Sequence, residues 1–214
     1  MTLLHGHEFG TDAAAGTLLG LAALTAFVVA YGHVGMVAGP ARSLLCGWAA
    51  FLVAVAALNA IEPPLVLSLG LVGACFALGL RALPPAPPAR ATAAPPWWDL
   101  PGRALAALSL VLGLTAVSGA LGPHLSGLLA PFPILTSVLA VFSHAHDGFA
   151  AVAVLLRNFV VGFYGFAAFC FALAIALQDL STAAAFGIAT AAALTVQAAI
   201  VGLRWRLAAA PSTT

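Results

Sequence analysis

Between Gly122 and Gly148 the chain reads GPHLSGLLAPFPILTSVLAVFSHAHDG, and most of its capacity for chemistry lies there. Two prolines bracket Phe132, hydroxyls follow at Thr136 and Ser137, and His144, His146 and Asp147 close the stretch. Pro133 withholds a backbone donor and crowds the carbonyl one turn earlier, so a helix must kink or unwind there. Irregular backbone in an apolar segment is tolerated only against protein or a water-filled cavity. That makes Pro131, Phe132, Pro133, Thr136 and Ser137 candidates to line such a cavity, with Tyr164 from the following segment. The His-Ala-His-Asp corner offers imidazole and carboxylate, donors that suit zinc or nickel. Two His and one Asp are an incomplete set, however, and Asp-Gly is an ordinary turn signal. No metal and no cofactor is expected.

The remaining groups are sparse. His144, Arg157 and Asn158 fall where a mouth at one membrane face would sit. There they could receive an anionic group, although an arginine reaching for the interface gives the same pattern. Cys46, Cys75 and Cys170 stand alone in apolar runs and read as small core residues. The chain has no lysine, which removes Schiff-base chemistry. No G-x-S-x-G, H-E-x-x-H or phosphate-binding glycine loop is present, and no enzyme activity is expected. Thr115, Ser118, Thr136, Ser137, Tyr164, Thr195 and Gln197 are expected to bond between helices, at about 0.6 kcal/mol each.

The elements that carry these groups must sit in lipid. Hydrophobic residues make up 63% of the 214, charged residues only 6%. A soluble domain carries about 25% charged residues. A mean hydropathy of +1.12 points the same way. The net charge of +1 leaves no basic face for nucleic acid. The pattern predicts an all-α polytopic transmembrane helix bundle of about seven spans. These are placed at residues 13–36, 42–60, 65–83, 103–121, 125–144, 159–177 and 181–203, with 150–156 as an interfacial helix. The first run lacks a positive n-region and is expected to be a retained span.

Residues 1–83 form a three-span unit, 84–98 a proline-rich cytoplasmic linker, 99–208 a four-span unit and 209–214 a tail. Trp97 and Trp98 mark the return to the membrane. Gly16 with Gly20, and Gly35 with Gly39, have the spacing of close helix contacts. With these spans every arginine falls on one side, while Glu8, Asp12, Glu62 and Asp179 fall on the other. Positive charge marks the cytoplasmic face, so the N-terminus is expected outside and the C-terminus in the cytoplasm.

Ser126-Gly-Leu-Leu-Ala-Pro-Phe-Pro-Ile, then His144, Leu155-Leu-Arg157 and Gly162, resembles the GlpM-like small bacterial inner-membrane proteins. The likeness covers roughly residues 105–177, and Pro131 directly before Phe132 departs from the family pattern. It implies a multi-pass protein of the bacterial cytoplasmic (inner) membrane and supplies no substrate. Two functions follow as expectations. One is a small permease or transporter of a lipid-linked intermediate, with the proline-broken span lining its path. The other is a non-transporting membrane subunit or assembly factor. The partners expected are membrane lipids and a second copy or other membrane subunits.

Overall fold

The computed structural model describes residues 2–60, 63–86, 98–118, 129 and 131–209, with side chains from Asp12 to Arg206 except at 117–118. Glu62, Arg90, Trp97, His124 and Ser126–Leu128 lie outside the described residues, as do the side chains of His5, His7, Glu8 and Ser118. Among the described residues there is no strand. Six helices follow one another: α1 Thr2–Gly35, α2 Pro40–Asn59, α3 Leu65–Ala82, α4 Asp99–Ser118, α5 Ile134–Asp179 and α6 Thr182–Ala209. Each is long and apolar enough to cross a membrane.

The boundaries have local causes. Pro40 opens α2, where its missing N–H costs nothing and its fixed φ already suits a helix. Pro63 and Pro64 cannot continue α2, and Pro64 instead caps α3, whose Ser68 N–H bonds the Pro64 carbonyl. In α5, Gly148 alone breaks helical geometry, at φ 77° and ψ −179°. That conformation suits a residue without Cβ.

The break at Gly148 reverses the chain. Before it, Ser137 faces Trp48 and His144 faces Tyr31, so the first limb runs in the direction of α1. After it, Phe149 and Leu156 lie against Gly35 and Gly32, while Leu173 to Leu177 reach Ala14. The second limb therefore runs opposite to α1. The expected loop at His144–Asp147 is absent; these residues are helical to the last position before the turn. Nor is 150–156 a separate interfacial helix. Val152 and Leu156 are fully buried in the common core, and the helix runs through them unbroken.

α1 is the axis of the bundle. It packs against α2, α3 and α5, and 61% of its spanning window is buried. Among the described residues the main neighbour of α4 and of α6 is α5, and 6% and 11% of their windows are buried. The core joins both halves of the chain: Phe27 and Tyr31 of α1, Phe51 of α2 and Phe76 of α3 lie with Leu156 and Val160 of α5. In lipid such packing rests on van der Waals fit more than on expelled water. Gly47 shows the fit, since a Cβ there would stand 2.8 Å from the Phe27 ring. Gly35 likewise lies against Phe149, whereas nothing approaches Gly39 within 4 Å. Only the first of these two expected contacts forms.

The described arginines gather at one end of the bundle. Arg42 follows the start of α2 and Arg81 lies in the last turn of α3. Arg103 stands in the first turns of α4, and Arg157 and Arg204 reach the ends of α3 and α5's second limb through Leu83 and Asn158.

Candidate functional site

Leu129 accepts from the Phe132 N–H at 2.8 Å, and the Ile134 N–H turns back to the Phe132 carbonyl at 2.6 Å. Pro133, at φ −73° and ψ 50°, is the centre of that tight three-residue turn. Helical bonding begins only at the Ser137 N–H, which donates to the Pro133 carbonyl at 2.8 Å. The first limb of α5 thus starts opposite the middle of α2. From Ile134 to Asp147 it is about 21 Å long, short of a hydrocarbon core of about 30 Å.

Aromatic rings brace this start. Phe132 lies edge-on to Phe51 at 5.4 Å between centroids and tilted against Trp48 at 5.8 Å. Pro131, Pro133, Thr136 and Ser137 are buried. Trp48 donates its indole N–H to the Ser137 hydroxyl at 3.0 Å. Beside that bond a cavity of about 220 Å³ opens between α2, α4 and the first limb. Its walls are Leu44, Ala106, Leu110, Val138, Val141 and Phe142, with Trp48 and Ser137 as its polar members. A cleft this apolar, with one indole and one hydroxyl, suits a hydrocarbon chain and has no means of holding a free ion.

Tyr164 does not join this group. It sits on the second limb, edge-on to Phe76 at 4.9 Å. The three residues expected at a common mouth also part company. The Tyr31 hydroxyl lies 3.3 Å from His144 Nδ1, on the α1 side of the first limb. Arg157 donates to the Leu80, Leu83 and Pro84 carbonyls at 3.2, 2.6 and 3.2 Å. It serves as the cap of α3, a cation set where the helix dipole is negative. Asn158 is exposed and accepts from Arg204 at 3.4 Å.

A second cluster appears where the sequence suggested none. Asp99, in the first turn of α4, is bonded by Arg103 Nε at 2.7 Å. Its Oδ1 lies 3.2 Å from His146 Nε2, close enough to pair ionically but not aligned as a hydrogen bond. Trp98 and Phe142 flank the imidazole, and the Arg103 guanidinium lies 5.2 Å over the Phe142 ring. The signal was the Asp-x-x-x-Arg spacing, which puts both side chains on one helical face. Because His144 turns to α1 and His146 to α4, the two imidazoles face different partners. Among the described residues no three His, Cys, Asp or Glu side chains converge as a metal would require.

Some of the hydroxyls behave differently from expectation. Thr195 bonds back to the Ala191 carbonyl of its own helix at 2.8 Å, as Thr190 does to Phe186. Gln197 crosses, donating to the Gly162 carbonyl at 2.8 Å, and so does Ser137, which accepts from the Trp48 indole. Gln197 can do so because Gly165 leaves room for its stem.

Six apolar helices, of which α1 is the buried axis, with flanking helices clothed in exposed leucine, valine and phenylalanine, define an integral membrane protein. No family model, curated protein or solved structure matches the chain.

Proposed function

We propose that this protein is a small permease or transporter of a lipid-linked intermediate, with its path beside the Pro131–Ser137 break. One observation carries the reading: a helix that starts at mid-bundle on Pro133 stands next to an apolar cavity whose floor is the Trp48–Ser137 pair. Discontinuous helices commonly form binding sites at this depth in transporters. The apolar walls favour a substrate with a hydrocarbon tail over a hydrophilic solute.

The same reading takes the chain across the membrane seven times, the two limbs of α5 supplying the ends of two crossings. It places the arginine-bearing end in the cytoplasm of a bacterium, with the N-terminus outside and the membrane the inner one. Kinship with the GlpM-like proteins belongs to this proposal and rests on the sequence motif.

The test uses vesicles containing the purified protein and a fluorescent prenyl phosphate, with dithionite quenching to follow its movement between leaflets. The wild type is expected to move the probe, and Pro133→Ala and Thr136→Val to fall to the empty-vesicle rate with helicity unchanged. A wild type no faster than empty vesicles, or two variants as fast as wild type, would sink the transporter.

A second reading draws on α4 and α6, which pack mainly on α5 and leave Leu105, Leu112, Leu194 and Leu203 exposed. A membrane subunit would use such faces to meet a partner. Purification in mild detergent separates the two: a stoichiometric partner supports the subunit, a lone monodisperse protein the transporter.

A further inference from the structure

We infer that α4 is a hinged lid over the cavity beside Ser137, and that Asp99 and His146 form the latch that holds it closed. Among the described residues the main neighbour of α4 is α5. The first turns of α4 fit closely against the first limb. Gly102 lies so close to Phe142 that a Cβ would stand 3.1 Å from the ring, and Arg103 and Trp98 close over Phe142 and His146. One to two turns farther on, Ala106 and Leu110 line the cavity.

The first limb of α5, by contrast, is pinned twice, to α2 through Ser137 and to α1 through His144. Any separation across the cavity must therefore come from α4.

The latch is built to release. The Asp99 side chain is only 10% exposed, and its Oδ1 lies 3.2 Å from His146 Nε2 without an aligned hydrogen bond. Burying a carboxylate is costly unless its partners are well placed. Opening α4 returns Asp99 to water and recovers hydration, which offsets the lost attraction. Two arrangements separated by a small free energy can both be populated. The latch concerns the cavity assigned to transport, but it is read out by helix separation, so the failure of either idea leaves the other standing.

The test uses the full chain in lipid nanodiscs with Cys46, Cys75 and Cys170 replaced by alanine. Spin labels on the exposed positions Leu108 and Leu135 report the α4–α5 distance by pulsed dipolar spectroscopy. The parent is expected to show mainly one short distance. Asp99→Asn and His146→Gln should each raise the longer population several-fold, and the double variant no further than Asp99→Asn alone, because Asp99→Asn already removes the contact that His146→Gln removes. Distances unchanged in folded single variants would overturn the latch. So would equal broadening in Gln197→Ala, whose bond lies on the far side of the bundle, since that would show a general loosening.

Discussion

Trp48 of α2 gives its indole N–H to the Ser137 hydroxyl of α5 at 3.0 Å, one turn past the proline break. This bond fastens the start of a helix that otherwise begins in mid-bundle. Ser137→Ala leaves a part-buried indole donor without its acceptor, a loss of about 1 kcal/mol. Trp48→Phe removes the donor and keeps most of the ring packing against Phe132. The double variant is expected to be less destabilised than the sum of the singles by about 0.6 kcal/mol, measured by chemical unfolding in detergent. Strict additivity would mean that the two side chains meet without supporting each other.

Arg157 is expected to matter for stability and not for capture of an anion. Its guanidinium spans three carbonyls at the end of α3, a geometry that a point charge cannot reproduce. Arg157→Gln should cost about 2 kcal/mol, and Arg157→Lys should recover less than half of it. Unfolding midpoints of the two variants check this. If lysine restores the midpoint fully, charge at the helix end suffices and the three-way cap is unimportant.

Much of this arrangement was legible in the sequence. Hydropathy places a span over each of the six helices, two of its seven falling on the limbs of α5, and Asp147-Gly148 marks the reversal. The misplaced start of the last limb came from Arg157, which looked like an interfacial arginine because its partners lie 73 to 77 positions away. Apolar context groups Tyr164 with Thr136 and Ser137, but depth along a helix does not say which neighbour a face meets. Asp99 is hidden beside Trp98 for the same reason: a lone acid next to an interfacial ring reads as solvated until His146 is brought against it. Long-range pairing chose among faces that local pattern left equal.

Glycines on this bundle should respond with opposite signs. Gly148 has φ +77°, so Gly148→Ala must strain the reversal, at about 1–3 kcal/mol, even though nothing lies within 4 Å to clash. Gly113 sits inside α4 with equally open surroundings. Gly113→Ala there replaces a poor helix former with the best one and should stabilise by about 0.5–1 kcal/mol. Thermal unfolding in one detergent compares them directly. Stabilisation by both would mean that the positive φ at Gly148 carries no strain.

Gly165 and Gln197 should behave as one unit. A Cβ on Gly165 would come 2.6 Å from Gln197 Cγ, so Gly165→Ala must push the amide off the Gly162 carbonyl that it bonds at 2.8 Å. Crowding and the lost bond together should cost about 1–3 kcal/mol. Gln197→Ala alone removes only the bond, at about 0.6 kcal/mol. Gln197→Ala removes the three atoms nearest the new methyl, Cγ, Nε2 and Cδ of Gln197. Gly165→Ala in that background should then be nearly neutral, and the double variant no less stable than Gly165→Ala alone. Measured midpoints for the four proteins decide the matter. If the alanine costs as much without Gln197 as with it, α5 and α6 meet at Gly165 through backbone closeness, and the glutamine is incidental.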